Sequence, residues 1–159
     1  MFRFDEETHT YYIDNRRIPS VSEIMRPLSK SNYQDIPPEI LENARQRGVR
    51  VHKAIEMYER FGVEPHNEEI SLYFKSYLKA KEKAKFDVLH SEIMLTNGEY
   101  AGTIDQIILM NERQAINDIK ATSKINKELL SVQLYAYREL ALYNGCDIDG
   151  TYTTHLLKT

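Results

Sequence analysis

Residues 102–120, GTIDQIILMNERQAINDIK, read as two apolar strands joined by a polar turn, with three charged side chains set into them. Asp105, Asp118 and Lys120 stand among Ile, Leu and Met, where a charge is costly unless a counter-charge or a metal ion compensates it. Taking residues 111–114 as a four-residue turn pairs Met110 with Ala115, Asp105 with Lys120 and Ile107 with Asp118. Side chains alternate along a strand, so Asp105, Asp118 and Lys120 share one face, and a slip of a single residue would scatter them.

The hairpin before it extends the pattern. Asn97-Gly98 is a strong two-residue turn signal, and it places Thr96 opposite Glu99, Glu92 opposite Thr103 and His90 opposite Asp105. Strands at about 86–95, 101–110 and 115–121 then gather Glu92, Asp105, Asp118 and Lys120 on one patch. Such hard carboxylate oxygens suit Mg²⁺ or Mn²⁺. A plain cross-strand ion pair between Asp105 and Lys120, worth under about 1 kcal/mol, fits the spacing equally well.

Helices flank these strands. PPEILENARQRGVRVHKAIEMYERFG predicts a helix over 38–61, with prolines at its start, Gly62 at its end and an apolar stripe through Leu41, Ala44, Gly48, Val51, Ile55 and Tyr58. Asn67 caps a second helix, whose buried face is Ile70, Tyr73, Phe74, Tyr77 and Leu78. Asn126 caps a third, over 126–143, closed by Gly145. Near the start, Ser20 and Glu23 form a capping box for a short helix that Pro27 is expected to end. FRFDEETHTYYID and the DNRR turn predict a small meander, and GTYTTHLLK a last strand. The expected architecture is α/β (α+β), one domain over 1–159, with a central mixed sheet flanked by helices.

Composition narrows the class. No apolar run approaches the ~20 residues of a membrane span, and MFRFDEETHT lacks the pattern of a signal peptide. The single cysteine, Cys146, leaves no internal disulfide and no zinc or iron–sulfur site needing several thiolates, so a reducing, intracellular compartment is expected. A net charge of −3 argues against coating DNA by bulk electrostatics, but not against an enzyme that concentrates acid in a cleft.

The ordered motifs carry a resemblance. GTID, followed thirteen residues after its Asp by DIK, resembles the core of the PD-(D/E)XK nuclease superfamily. RGVRVH on the preceding helix resembles the histidine motif of its RecB-type and phage-exonuclease branches, and QLYAY their Q-x-x-x-Y motif. IPSVSEIM resembles the serine-containing entry of the same branch, and order and spacing agree from about residue 18 to 140. Ile104 stands in place of the proline of the family name, and Asp118 in place of the commoner Glu.

The resemblance implies a restriction-endonuclease-like core and a Mg²⁺- or Mn²⁺-dependent deoxyribonuclease, an exonuclease of phage recombination or DNA processing, in the cytoplasm of a bacterium or phage-infected host. It implies that His52, Asp105, Asp118 and the backbone carbonyl of Ile119 bind metal, and that Lys120 holds or activates the attacking water. Glu92 would serve a second metal or that water. Gln133 and Tyr137 would touch the phosphate or strand end. Arg45, Arg47, Arg50 and Lys53 cluster on the helix that leads to His52, where they either meet DNA phosphates or solvate an exposed face. The implied partner is DNA, with processivity drawn from a homo-oligomer or from a recombination or helicase protein. Two alternatives share the sequence: a structure-specific endonuclease on the same fold, and a DNA-binding module without catalysis.

Overall fold

A computed structural model describes residues 1–158. Strands β1 (Phe2–Asp5), β2 (Thr10–Ile13) and β3 (Arg16–Ile18) form an antiparallel meander, followed by α1 (Val21–Ser29) and a short 3₁₀ turn at Lys30–Tyr33. Helices α2 (Pro38–Phe61) and α3 (Glu68–Ala84) lead into β4 (Asp87–Thr96), β5 (Ala101–Met110) and β6 (Arg113–Lys120), and α4 (Lys127–Tyr143) carries the chain to β7 (Gly150–His155). The second sheet has the order β4-β5-β6-β7, antiparallel except for β6 and β7, which run parallel. A parallel neighbour needs a crossover, and α4 is that crossover.

The mixed α/β architecture expected from the sequence is present, with helices on both faces of the four-stranded sheet. Val51 and Ile55 of α2 and Tyr73, Phe74 and Tyr77 of α3 pack on Ile108, Ala115 and Ile119. Leu134, Tyr137, Leu140 and Ala141 of α4, with Val21 of α1, pack on Ile104, Ile107 and Ile116. Among the described residues no helix is long and apolar enough to cross a membrane.

Helix limits follow from local chemistry. Gly62, at φ 69°, closes α2 by donating its N–H to Tyr58. Asn67 and Asn126 accept the backbone N–H groups of Ile70 and Leu129, and Ser20 and Glu23 complete both bonds of a capping box. Pro27 does not end α1, contrary to expectation. The helix runs on to Ser29, because the next N–H, that of Lys30, still reaches the Arg26 carbonyl.

Both hairpin registers need correction. Asn111 and Glu112, at φ 52° and 62°, make a two-residue turn, so Met110 pairs with Arg113 and β6 starts earlier than expected. Asn97–Tyr100 is instead a four-residue turn, and Thr96 pairs with Ala101. The Asn97 side chain takes the N–H groups of Glu99 and Tyr100, while the Thr96 hydroxyl takes that of Gly98. Around the site each register therefore moves by two residues, which preserves the parity of the pairing from Thr96–Ala101 to His90–Ile107. Asp105 is not opposite Lys120: the ladder ends at Gln106–Asn117, and continuing it sets Asp105 against Asp118. Glu92 lies between the Ser91–Gln106 and Ile93–Ile104 pairs, facing Asp105 rather than Thr103, and His90 pairs with Ile107 rather than Asp105.

The pairing of β4 with β5 slips by one residue between Val88 and His90, and strict alternation fails again nearer the site. Ile104 and Ile107, three apart, both pack in the cluster beneath α4. The break coincides with Glu92, whose φ of 51° in mid-strand is a left-handed conformation rare for a residue other than glycine. It frees Asp105 and Glu92 to turn towards α2.

Candidate metal centre

His52 enters from α2, next to the buried Val51, so the packing of the helix on the sheet fixes where its ring points. Its Nε2 lies 2.9 Å from the carbonyl oxygen of Ile119. A carbonyl only accepts, so Nε2 carries the proton. The other ring nitrogen, Nδ1, then faces two carboxylates, 3.3 Å from Asp105 Oδ1 and 3.6 Å from Glu92 Oε1. Three acceptors cannot sit together unless a proton or a metal ion lies between them. Burial by itself disfavours the charged imidazole, but Asp105 and then Glu92 outweigh it and hold its pKa well above the usual histidine value.

The ligand atoms of His52, Glu92 and Asp105 all lie within 4.8 Å of one another, which is the spacing of a metal site. An imidazole donating its second N–H to a backbone carbonyl is the usual way a metal-binding histidine is oriented. Ile119, expected as a ligand through its carbonyl, is thus placed as the partner that orients His52. The Ile119 N–H is donated to Asp105 Oδ2 at 2.7 Å, so the same peptide unit aims both residues.

Asp118 lies deeper, 3% exposed. Lys120 Nζ is 3.1 Å from its Oδ1 and donates to it. Oδ2 is also 3.1 Å from Nζ but has no hydrogen bond. Burial first, then the charge of Asp105, push the Asp118 carboxyl up to about 6, although Lys120 pulls against both. Asp118 thus keeps one carboxylate oxygen without a hydrogen bond beside the charge of Asp105, with Lys120 as its counter-ion, and the nearby imidazole and carboxylates form a donor set that could hold a metal ion.

Gln133 and Tyr137, one turn apart on α4, stand behind Lys120. Gln133 accepts from Lys120 Nζ at 2.9 Å, and its amide donates to the Tyr137 hydroxyl at 3.2 Å. The ring of Tyr137 rests on Gly102, where an added Cβ would lie 2.6 Å from the ring. Only glycine permits that approach.

The cluster opens into a cleft of about 660 Å³ between the first meander, α2 and the sheet. Tyr11 of β2 meets Thr103 of β5 across it, hydroxyl to hydroxyl at 2.5 Å. Arg45 and Lys53 line it, each paired with a glutamate, Glu42 and Glu56 respectively. Arg50 does not: a helix turns about 100° per residue, which puts it roughly 160° round from His52, near Glu69 of α3. Arg47 also leaves the cleft, its guanidinium lying over the ring of Tyr73. His90 is exposed and lines a separate hollow. Glu56 pairs with Lys53 and Arg60 and makes no contact with His52.

Two features escaped the sequence reading. Arg60, eight residues beyond His52 on the same face of α2, reaches the Ser91 carbonyl at 2.7 Å; that spacing was the available signal. Gln106 and Asn117, each 1% exposed, belong to a buried chain of hydrogen bonds that runs from Glu59 through Tyr77, Gln106 and Asn117 to Thr154. Two amides inside apolar strands were its signature. No family model matches the chain, and no match to a curated protein was found.

Proposed function

We propose that this protein is a metal-dependent deoxyribonuclease, hydrolysing phosphodiester bonds at the centre formed by His52, Glu92 and Asp105. One observation carries the reading: His52, its Nε2 committed to the Ile119 carbonyl, turns Nδ1 towards two carboxylates, beside a buried aspartate–lysine pair. The ordered motifs around the pair support the PD-(D/E)XK resemblance, and with it an exonuclease of DNA processing.

Mg²⁺ or Mn²⁺ held there would supply Lewis-acid stabilisation of the phosphate charge. His52, Glu92 and Asp105 bind it, and Asp118 extends the acidic wall behind. Lys120, held between Asp118 and Gln133, would orient the attacking water and offset charge gathering on the phosphate oxygens. Gln133 and Tyr137 fix the reach of Lys120, a role one step removed from the DNA contact first expected of them. Arg45 and Lys53 meet the backbone along the cleft.

The test is cleavage of end-labelled linear duplex beside closed circular DNA, with Mn²⁺, Mg²⁺ or EDTA. Metal-dependent loss of linear DNA alone is expected, and Lys120→Ala should cut at least about 100-fold more slowly. Nicked circles would shift the reading to an endonuclease. A folded, metal-loaded wild type that cuts neither substrate would leave a binding module.

A further inference from the structure

Across Glu92 from the cleft lies a second hollow of about 400 Å³, between the last turn of α2 and residues 88–93 of β4. Arg60 and Glu92 are the two residues that line both spaces. Glu92 therefore stands between the two spaces. The hollow is within the ~300–1,000 Å³ range of small-ligand sites.

Arg60 is the one cation among the described residues that line the hollow, and both carboxylates there are engaged elsewhere. Glu92 lies beside His52, and Glu59 is occupied by Tyr77 and Lys81. Glu56 is shared between Lys53 and Arg60, so two cations meet one carboxylate. Arg60 is also held in place: Nη2 donates to the Ser91 carbonyl at 2.7 Å and lies 3.3 Å from Glu56. Among the described residues its Nε and Nη1 make no hydrogen bond, which leaves donors of the fork free for an oxyanion.

We propose that this hollow is a nucleotide subsite flanking the scissile bond, and that Arg60 binds the phosphate of the nucleotide seated there. The proposal rests on the nuclease reading and gives it a substrate geometry: DNA runs along α2 and is gripped on both sides of the metal centre.

The experiment compares Mn²⁺-dependent hydrolysis of short oligodeoxynucleotides with a phosphate or a hydroxyl at each end, for wild type, Arg60→Lys and Arg60→Gln. Mn²⁺ affinity of each protein is measured alongside by titration. Glutamine keeps an amide donor on a shorter side chain and carries no charge. A terminal phosphate at one end should raise kcat/KM of the wild type about tenfold. Lysine should keep part of that gain, and glutamine should lose it with Mn²⁺ affinity unchanged. Equal rates on both ends in the wild type, or a full gain in Arg60→Gln, overturns the subsite. So does a fall in Mn²⁺ affinity in both variants, which would make Arg60 a support for Glu92. If the wild type binds Mn²⁺ and cuts duplex DNA while these outcomes fail, the subsite alone is lost. If it cuts nothing, the nuclease reading goes with it.

Discussion

Asp118 is the residue where stability and the proposed chemistry conflict. Its folded-state pKa of about 6 stands above the ordinary 3.8, so the unfolded chain gives up this proton first as pH rises. Stability of the metal-free protein should therefore fall between about pH 4 and pH 6 and stay lower above that. His52 acts in the same direction. Its raised pKa contributes stability that is full below about 6.5 and is lost as pH climbs through the folded-state value. Asp118→Asn should stabilise the metal-free protein at pH 7.5 by about 1–3 kcal/mol and give no gain at pH 4, read from urea melts at both values. Equal destabilisation at both would show that Asp118 carries no ionic penalty.

At the scale of elements, the helices and the hairpins were legible to different degrees. Helix limits were written locally, in Asn67, Asn126, Gly62 and the Ser20–Glu23 pair, because one side chain or one φ angle decides each end. The turn lengths were not, since Asn97-Gly98 and Asn111-Glu112 are both chemically able to make a two-residue turn. Only the side-chain bonds of Asn97 and Thr96 lengthen the first to four residues. The shared face survived because both errors were of two residues. The left-handed Glu92 had no sequence signal, since nothing in SEIML marks a break. Gly102 was read only as part of a motif, and its packing role gives a prediction. Gly102→Ala forces the Tyr137 ring away, so stability should drop by about 1–3 kcal/mol and cleavage should slow, while Mn²⁺ affinity holds. Calorimetric titration beside a melt separates these effects, and unchanged cleavage would mean that Tyr137 does not govern Lys120.

For the whole molecule, the candidate metal centre ties together elements distant in sequence: His52 from α2, Glu92 from β4 and Asp105 from β5. A cation bound there must stabilise the fold by mass action, by about 2.7 kcal/mol at a hundred times Kd. In a chain of 159 residues that corresponds to a Tm rise of roughly 5–10 °C. Mn²⁺ should raise Tm by that amount in the wild type and far less in Glu92→Ala, with Ca²⁺ and EDTA as controls. An equal rise in both proteins would place the ion elsewhere.

The parallel pairing of β6 with β7 bears on when the candidate site is completed. Asp118 pairs with Thr153 and Lys120 with His155, and the buried amide chain ends on Thr154. All three partners come from β7, the last strand in the order of synthesis. During synthesis β6 stays an open edge on this side until β7 follows α4, so the ladder around Asp118 and Lys120 closes late. The proposed centre is thereby completed only after the crossover has been made.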